Sequence, residues 1–178
     1  MSLSDMASAG SLISGIAVLI SLIYLALQVR QAAMNQRSET QSNATGRRMD
    51  ILLHMASAGM AEVMLRASAA DPTTPPEEAF QFILTMQATL TNSEDEFFQY
   101  RSGMLDERRF KLQLAVNRGI FALPGARAVW RLTRTNFHPD FVVLMDDIVD
   151  NTPVATKNVV DFWKVVAADE RAVAGRMA

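Results

Sequence analysis

No charged side chain occurs between Asp5 and Arg30, and this gap constrains the fold more than any other feature. The uncharged stretch Met6 to Val29 has 24 residues. As an α-helix it would be about 36 Å long, against a bilayer hydrocarbon core of about 30 Å. Eleven residues from Leu12 to Val29 are Leu, Ile or Val, and each favours membrane insertion by about 0.3–0.6 kcal/mol. We therefore predict one transmembrane helix within residues 1–29.

Two alternatives to a membrane span are a core helix of a soluble protein and a secretory signal peptide. Core helices rarely exclude every charge over this length. A signal peptide needs basic residues before a short apolar stretch and small residues at a cleavage site after it. Here Asp5 is the only charged side chain before the stretch, and the stretch is long. The pattern therefore favours an uncleaved anchor over both alternatives.

Basic residues follow the apolar stretch and predict its orientation. They are Arg30, Arg37, Arg47 and Arg48. Because cytoplasmic flanks are the ones rich in Lys and Arg, we expect a single-pass protein of the inner (cytoplasmic) membrane. Its N-terminus would lie outside and its C-terminal domain in the cytoplasm. Tyr24, Gln28 and Arg30 are the predicted membrane-interface residues.

Small residues recur at four-residue spacing within the stretch and are candidates for helix association. They form three rows: Ala7, Ser11 and Gly15; Gly10 and Ser14; Ala17 and Ser21. Such rows let a second helix approach closely within lipid. Gly, Ala and Ser are also simply frequent in membrane spans, so both explanations stay open. If the rows do associate, the expected partners besides the lipid bilayer are a second copy of the chain or a larger membrane protein complex.

Three pieces of the chain have a recognisable pattern. Residues 15–31 read GIAVLISLIYLALQVRQ, residues 96–106 read EFFQYRSGMLD, and Pro124-Gly125 precede Trp130. These pieces resemble a group of bacterial proteins without an assigned activity, which begin with one span and continue into a helical domain. That group often has Asn after the Arg-Gln pair, where this chain has Ala32. The resemblance implies the same architecture here and implies no site residues.

The rest of the chain divides into a polar segment, 30–48, and a domain, 49–178. The first segment is mostly Gln, Asn, Ser, Thr, Ala and Arg without a broad apolar stripe, which predicts a polar helical extension or stalk with Gly46 as a candidate break. A flexible linker is the alternative, disfavoured because Gly and Pro are scarce there. Apolar residues at helical spacing, without clean alternation, predict that 49–178 is a cytoplasmic all-α bundle of about five or six helices.

Helix boundaries in the domain are predicted from proline, glycine and capping residues. A first helix carries Met49, Leu52, Leu53, Met60 and Val63, and ends before Asp71. The later helices are expected to begin at Thr74 (a capping box with Glu77), Asp106, Pro124, His138 and Pro153. Gly103 marks the end of the second helix, whose apolar positions include Phe80 and Leu84, and the sixth helix carries Val159, Phe162, Trp163 and Val166.

Composition argues against several classes of function. The chain has no cysteine, so thiolate catalysis and thiolate metal sites are excluded. A net charge of -2 provides no cationic field for nucleic acid. The two histidines, His54 and His138, lack the Glu three residues earlier that dimetal bundles use, which predicts no metal site and no cofactor. We predict that the chain is not an enzyme.

One polar set interrupts an apolar helix face. Gln87, Thr91 and Glu94 follow each other at spacings of four and three between Leu84 and Phe97. They predict either a polar groove or a buried hydrogen-bond network.

These features suggest two functions, and a third function is retained as an alternative to be tested. The leading hypothesis is a membrane-tethered helical interaction or accessory-subunit protein that associates through its transmembrane helix. The alternative is a membrane-proximal module that binds an apolar or lipid-like ligand in the helical domain, suggested by eleven Met and nine Phe residues. An enzyme that works through Glu94 or His54 is the third.

Overall fold

The computed structural model describes the backbone of residues 3–156 and 159–177, and the side chains of residues 12, 14–156 and 159–176. These parts of the chain form seven α-helices and one turn of 3-10 helix, without a β-strand. The helices are α1 (Leu3–Met55), α2 (Ala58–Ser68), α3 (Pro76–Arg101), α4 (Glu107–Phe121), α5 (Pro124–Thr133), α6 (Pro139–Asp150) and α7 (Val159–Met177), with the 3-10 turn at Arg134–Asn136. The prediction of an all-α chain is confirmed.

The chain divides into two compact units, Met1–Asn43 and Ala44–Ala178. The described part of the first unit is helical throughout and belongs to α1. The second unit contains the end of α1 and the helices α2 to α7.

The apolar spacing predicts a continuous helix from Met49, but α1 ends at Met55 and α2 begins at Ala58. The break lies at Ala56–Ser57 and not at Gly46, which is helical. Ser57 has an extended backbone (ψ 148°), and its hydroxyl donates to the carbonyl of His54 at 2.8 Å. This local hydrogen bond competes with helix continuation, as short hydroxyl side chains often do.

The structure confirms some of the predicted helix starts and contradicts others. Asp106 accepts a hydrogen bond from the Arg109 backbone N–H at 2.9 Å, and His138 Nδ1 accepts one from Asp140 N–H at 3.2 Å, so α4 and α6 begin as predicted. The Thr74 capping box is wrong, because α3 begins at Pro76 and the Thr74 hydroxyl donates to the Asp71 carbonyl instead. The predicted start at Pro153 is also wrong.

Glycine ends α3 as predicted. Gly103 has φ +73°, a conformation that costs little only for glycine, and its N–H donates to the Tyr100 carbonyl at 3.0 Å. The Met104 N–H donates to the Gln99 carbonyl, so the Gln99 and Tyr100 carbonyls near the end of the helix are satisfied. The chain then turns into α4.

The core of the second unit is aromatic. Trp130 packs against Phe121, Phe137 and Phe141, with ring centroids 5.5–6.2 Å apart, and all four side chains are buried. The Trp130 indole N–H donates to Asp146 Oδ1 at 2.8 Å, which satisfies the one polar atom in that ring. This cluster joins α4, α5 and α6.

On two helices, apolar spacing alone does not identify the buried residues. On α3, Phe80 and Leu84 are exposed, while Phe82 and Met86 are buried. The buried face also contains Asn92 and Glu96, so it is not the face that apolar residues alone would select. On the last helix most described apolar side chains are exposed, including Phe162 at 67% and Trp163 at 65%, while Val160 and Ala167 are half-buried.

Candidate functional site

The apolar stretch of α1 has exposed side chains. Its described large apolar side chains from Leu12 to Val29 are between 50% and 67% exposed. By length and composition this is one helix that could cross a membrane, and none of its apolar window is buried. Soluble chains rarely expose a continuous apolar surface of this size.

The described small residues of α1 are spread around the helix. Ser14, Ala17 and Ser21 follow each other at spacings of three and four and share one face, whereas Gly15 lies about 100° away from Ser14 around the axis. Ser14, Gly15, Ala17 and Ser21 are exposed, and the Ser21 hydroxyl donates to the Ala17 carbonyl at 2.9 Å. That bond satisfies the hydroxyl within the helix itself. Ile23 projects from the opposite face, nine residues and therefore half a turn away from Ser14. The side chains of the remaining candidates, Ala7, Gly10 and Ser11, lie outside the described set.

Tyr24, Gln28 and Arg30, the predicted membrane-interface residues, are exposed on the same helix. Tyr24 and Gln28 are four residues apart and share a face, with Arg30 half a turn beyond Gln28. The order from apolar to aromatic to charged is the one found where a helix leaves a bilayer.

A polar cluster lies inside the second unit. One part joins the end of α1 to α3: Arg48 Nη2 donates to both carboxylate oxygens of Glu96, at 3.1 and 3.2 Å, and Asn92 Nδ2 donates to Glu96 Oε1 at 3.0 Å. The Glu96 carboxylate is only 3% exposed. Its charge is therefore matched by a partner and by a further hydrogen bond, which buried carboxylates need.

The other part of the cluster joins α3 to α4. Gln113 Nε2 donates to Ser93 Oγ at 2.9 Å, and Ser93 Oγ donates to Asn117 Oδ1 at 3.2 Å. Asn117 Nδ2 in turn contacts Met145 Sδ at 3.8 Å. Gln113 is 3% exposed, and its Oε1 has no hydrogen-bond partner among the residues that the structure describes. One buried acceptor is thus unused.

A cavity of about 300 Å³ lies beside the polar cluster, between the end of α1 and helices α2, α3 and α4. Its apolar lining includes Met55, Met64, Phe82, Met86, Val116 and Ile120. Its polar lining consists of Arg48, Thr89, Asn92 and Gln113. This volume is at the lower end of the range of small-molecule sites, and a mostly apolar lining with a few polar groups is typical of them.

The polar lining lies at one end of the cavity. In α1, Arg48 precedes the lining residue Met55; in α4, Gln113 precedes Val116; in α3, Asn92 follows the apolar lining residues. Arg48 and Asn92 both donate hydrogen bonds to Glu96, and Gln113 donates one to Ser93. The polar side chains therefore form two neighbouring groups on α3. Because these polar side chains are engaged in hydrogen bonds with their neighbours, the surface that faces the cavity is almost entirely apolar.

The three residues predicted to form a polar groove do not share one site. Glu94 Oε1 accepts a hydrogen bond from the His138 backbone N–H at 2.7 Å, on the side of α6. Thr91 is exposed and lines a shallow depression together with Asp50 and Asp95. Gln87 is half-buried. Glu94 thus helps to position the start of α6.

The other residues considered for chemistry lie on the surface. His54 is exposed beside Asp50 in a second shallow depression. Among the described residues, no group of three or more His, Asp or Glu side chains converges as a metal site would require. Hydrogen bonds from the Thr73 hydroxyl and backbone N–H lower the pKa of Asp71. The hydrogen bond between Glu107 and Lys111, together with their opposite charges, lowers the pKa of Glu107 and raises that of Lys111.

Sequence reasoning missed the polar cluster. The available signal was spacing: Asn92 and Glu96 are four residues apart on α3, and Gln113 and Asn117 are four apart on α4, between the buried Phe110 and Phe121. Polar residues at the period of an apolar stripe indicate buried hydrogen bonding.

Comparison with known proteins identifies no family: no family model, no curated protein and no solved structure matches the chain. The resemblance to the bacterial group with one N-terminal span therefore stays a prediction.

Proposed function

We propose that this protein is a membrane-tethered helical interaction protein or accessory subunit, which associates with partners through its transmembrane helix. The observation that carries the proposal is the continuous apolar surface of α1 from Leu12 to Val29, whose described large apolar side chains are all at least half exposed. An apolar surface of this size is unfavourable in water. The absence of charge over 24 residues favours contact with lipid as the way to remove it from water.

The small residues on α1 support association within the bilayer. Lipid offers no hydrophobic advantage to helix pairing, so close backbone approach at Gly, Ala and Ser is what stabilises a pair of helices. Ser14, Ala17 and Ser21 supply such a face, and the partner is a second copy or a helix of a larger membrane complex.

The last helix supports a docking role for the water-facing domain. Its exposed Phe162 and Trp163 are aromatic residues, a class that is enriched at protein interfaces. We place this domain in the cytoplasm and the N-terminus outside, because the arginines that follow the span favour that orientation.

The absence of cysteine allows a direct test of anchor and orientation in the full chain. Ser2→Cys and Ser102→Cys are each labelled with a membrane-impermeant maleimide in intact cells and again after permeabilisation. We expect Ser2→Cys to react in intact cells and Ser102→Cys only after permeabilisation. The reverse pattern would overturn the orientation. Loss of the N-terminal label together with a lower intact mass would show cleavage and overturn the anchor.

Association is tested by adding bulk to the small-residue face. Ser14→Leu is compared with Ile23→Phe, which adds bulk to the opposite face of the same helix. Complexes are purified from native membranes in mild detergent and sized. We expect Ser14→Leu to reduce the assembled fraction and Ile23→Phe to leave it unchanged. A monomeric, partner-free natural protein would contradict the proposal.

A further inference from the structure

We infer that the cavity between the end of α1 and helices α2, α3 and α4 holds an unbranched hydrocarbon chain of roughly ten to twelve carbon atoms, whose head group stays outside. This binding site goes beyond the proposed interaction function and does not depend on it. All of its lining residues belong to the second unit.

The polar side chains of the lining have no hydrogen bond to offer a ligand. Arg48, Asn92 and Gln113 are engaged in the polar cluster, and the Thr89 hydroxyl donates to the Thr85 carbonyl at 2.9 Å. The unpaired Gln113 Oε1 has almost no accessible surface, so no molecule in the cavity reaches it. A water molecule needs several polar partners and would be held poorly here. The part of a ligand that enters is therefore hydrocarbon.

The lining residues of α3 and α4 show that the cavity is elongated. Each helix contributes one face, at spacings of three and four: Phe82, Met86, Thr89 and Asn92 from α3, and Gln113, Val116, Ile120 and Leu123 from α4. The first and last of these positions lie about 15 Å apart along each helix. A volume of about 300 Å³ along that length is a narrow channel, which suits an extended chain better than a compact ring system.

The volume sets the length of the chain. Protein interiors contain few voids larger than a water molecule, so a cavity of 300 Å³ is large for a domain of this size. An engineered apolar cavity of about 150 Å³ stays dry and binds benzene, which has six carbons. Twice that volume holds roughly ten to twelve carbons.

The apolar side chains can adapt to such a chain. Met55, Met64 and Met86 are unbranched thioethers with several rotatable bonds, so they adjust their shape to a flexible ligand. Apolar contact is non-directional and grows with the area removed from water. The site is therefore expected to recognise chain length and not a functional group.

Two lining residues are also well exposed and mark the opening of the cavity. Leu52 on α1 is 52% exposed, and Val116 on α4 is 45% exposed. A chain that enters between them leaves its head group at the surface, in contact with water. Head groups of different chemistry are therefore tolerated.

The experiment uses the full chain in lipid nanodiscs and a photoreactive probe. The probe is decanol with a diazirine near the far end of its alkyl chain, and labelled peptides are mapped by mass spectrometry. We expect labelling of peptides that contain Met64, Met86 or Ile120, which line the cavity on three different helices. Labelling confined to the apolar stretch of α1 would overturn the inference.

Competition in the natural protein tests the length of the chain. Hexanol, octanol and decanol compete with the probe, and their effects are compared at equal free aqueous concentrations. Each step in this series should improve competition at least about fivefold, because each added CH₂ removes apolar surface from water. Hexadecanol should compete no better than dodecanol, because the cavity has no room for further carbons. A gain that continues to hexadecanol would indicate uptake by lipid alone and would overturn the site.

The same competition tests the head group. Decyl methyl ether has the chain of decanol without its hydrogen-bond donor. The two should compete within about twofold of each other at equal free concentrations, because the head group meets no free polar group of the lining. A preference of tenfold or more for either one would contradict a head group that stays outside, since about one hydrogen bond is worth that much.

Two variants and a matched control connect the labelling to the cavity. Val116→Phe narrows the opening and Ile120→Phe fills the interior, and each should lower labelling at least about fivefold. Val143→Phe makes the first change on α6, at a side chain that is 71% exposed and lies outside the lining, and should leave labelling unchanged. Equal labelling of all three variants would overturn the site. If a cavity variant fails to fold, the chain-length limit in the natural protein decides alone.

Two forms of the chain distinguish the source of the ligand. One is the decanol probe carried by albumin in solution, and the other is phosphatidylcholine with a diazirine in one acyl chain, built into the nanodisc. Labelling of the cavity peptides by the phospholipid identifies a bilayer lipid as the source. Labelling by the decanol probe alone identifies a free single-chain molecule. Either result supports the site, and absence of cavity labelling from both forms contradicts it.

Discussion

Arg48 on α1 and Glu96 on α3 form an ion pair in which one guanidinium nitrogen reaches both carboxylate oxygens, at 3.1 and 3.2 Å. The two partners differ in exposure: the arginine side chain is 38% exposed, and the carboxylate is 3% exposed. Removing the arginine therefore leaves a buried charge, while removing the carboxylate leaves a cation that water can reach.

This asymmetry predicts unequal effects of the two single substitutions. Arg48→Met should destabilise the second unit by about 2–4 kcal/mol because Glu96 loses its partner. Glu96→Gln should cost less, since the amide carries no charge and its oxygen still accepts from Asn92. Unfolding in denaturant is followed by the fluorescence of buried Trp130 in a Trp163→Phe background. A larger loss for Glu96→Gln would contradict the asymmetry.

Gly125 at the start of α5 packs directly against the end of α2. A Cβ atom at this position would overlap the Ala67 carbonyl oxygen and come within 3.0 Å of Ser68 Cα, both backbone atoms that cannot move aside alone. Gly125→Ala should therefore destabilise the domain by about 1–3 kcal/mol or more, as overpacking does.

Gly119 provides the matched control for that substitution. It lies within α4 and is exposed, and a Cβ atom added there would meet no atom of another described element within 4 Å. Gly119→Ala should stabilise the same unit by about 0.5–1 kcal/mol, because alanine is the better helix former. Both variants are compared by denaturant unfolding. A similar effect of both substitutions would contradict the close approach of α5 to α2.

Asp146 on α6 satisfies the indole of the central tryptophan. Its Oδ1 accepts from Trp130 Nε1 at 2.8 Å, and its Oδ2 pairs with Arg134. Asp146→Ala should cost about 1–3 kcal/mol because a buried N–H is left unpaired. Asp150→Ala, at the exposed end of the same helix, should have little effect. The two losses of stability are measured by the same fluorescence method, and an equal loss would argue against the indole hydrogen bond.

Acid should weaken the turn between α2 and α3. Two hydrogen bonds from Thr73 hold the pKa of Asp71 below its ordinary value of 3.8. Because the folded pKa is the lower one, this contribution to stability is complete above pH 3.8 and is lost as the pH falls through the folded value. Thr73→Ala should raise the pKa of Asp71 toward 3.8, as followed by NMR titration of its carboxyl carbon. An unchanged pKa would contradict the assignment.

Much of the helical layout follows from local chemistry that the sequence displays. Asp106 and His138 cap their helices, and Gly103 ends α3 in the left-handed conformation, because each of these effects involves only a few neighbouring residues. Ser57 was missed, although its hydroxyl bond to His54 is equally local, because the apolar period continues across it. Pro153 failed as a start signal because proline permits a helix start without requiring one.

Local sequence patterns do not identify most residues of the candidate site. Gln87, Thr91 and Glu94 interrupt an apolar stripe, yet the buried polar residues of α3 include Asn92, Ser93 and Glu96 on a different face. Which face is buried depends on where α1 and α4 supply partners, namely Arg48 for Glu96 and Gln113 for Ser93. These contacts join residues far apart in the sequence, so no local pattern contains them.

The sequence by itself determined the all-α class and an N-terminal helix apolar enough to cross a membrane, because hydropathy and helix period are properties of consecutive residues. Only the tertiary structure decided that Phe82 is buried and Phe80 exposed, and that Gln113 keeps an unused acceptor beside a cavity. The physical reason is that burial and hydrogen-bond satisfaction are set by neighbours brought together through folding.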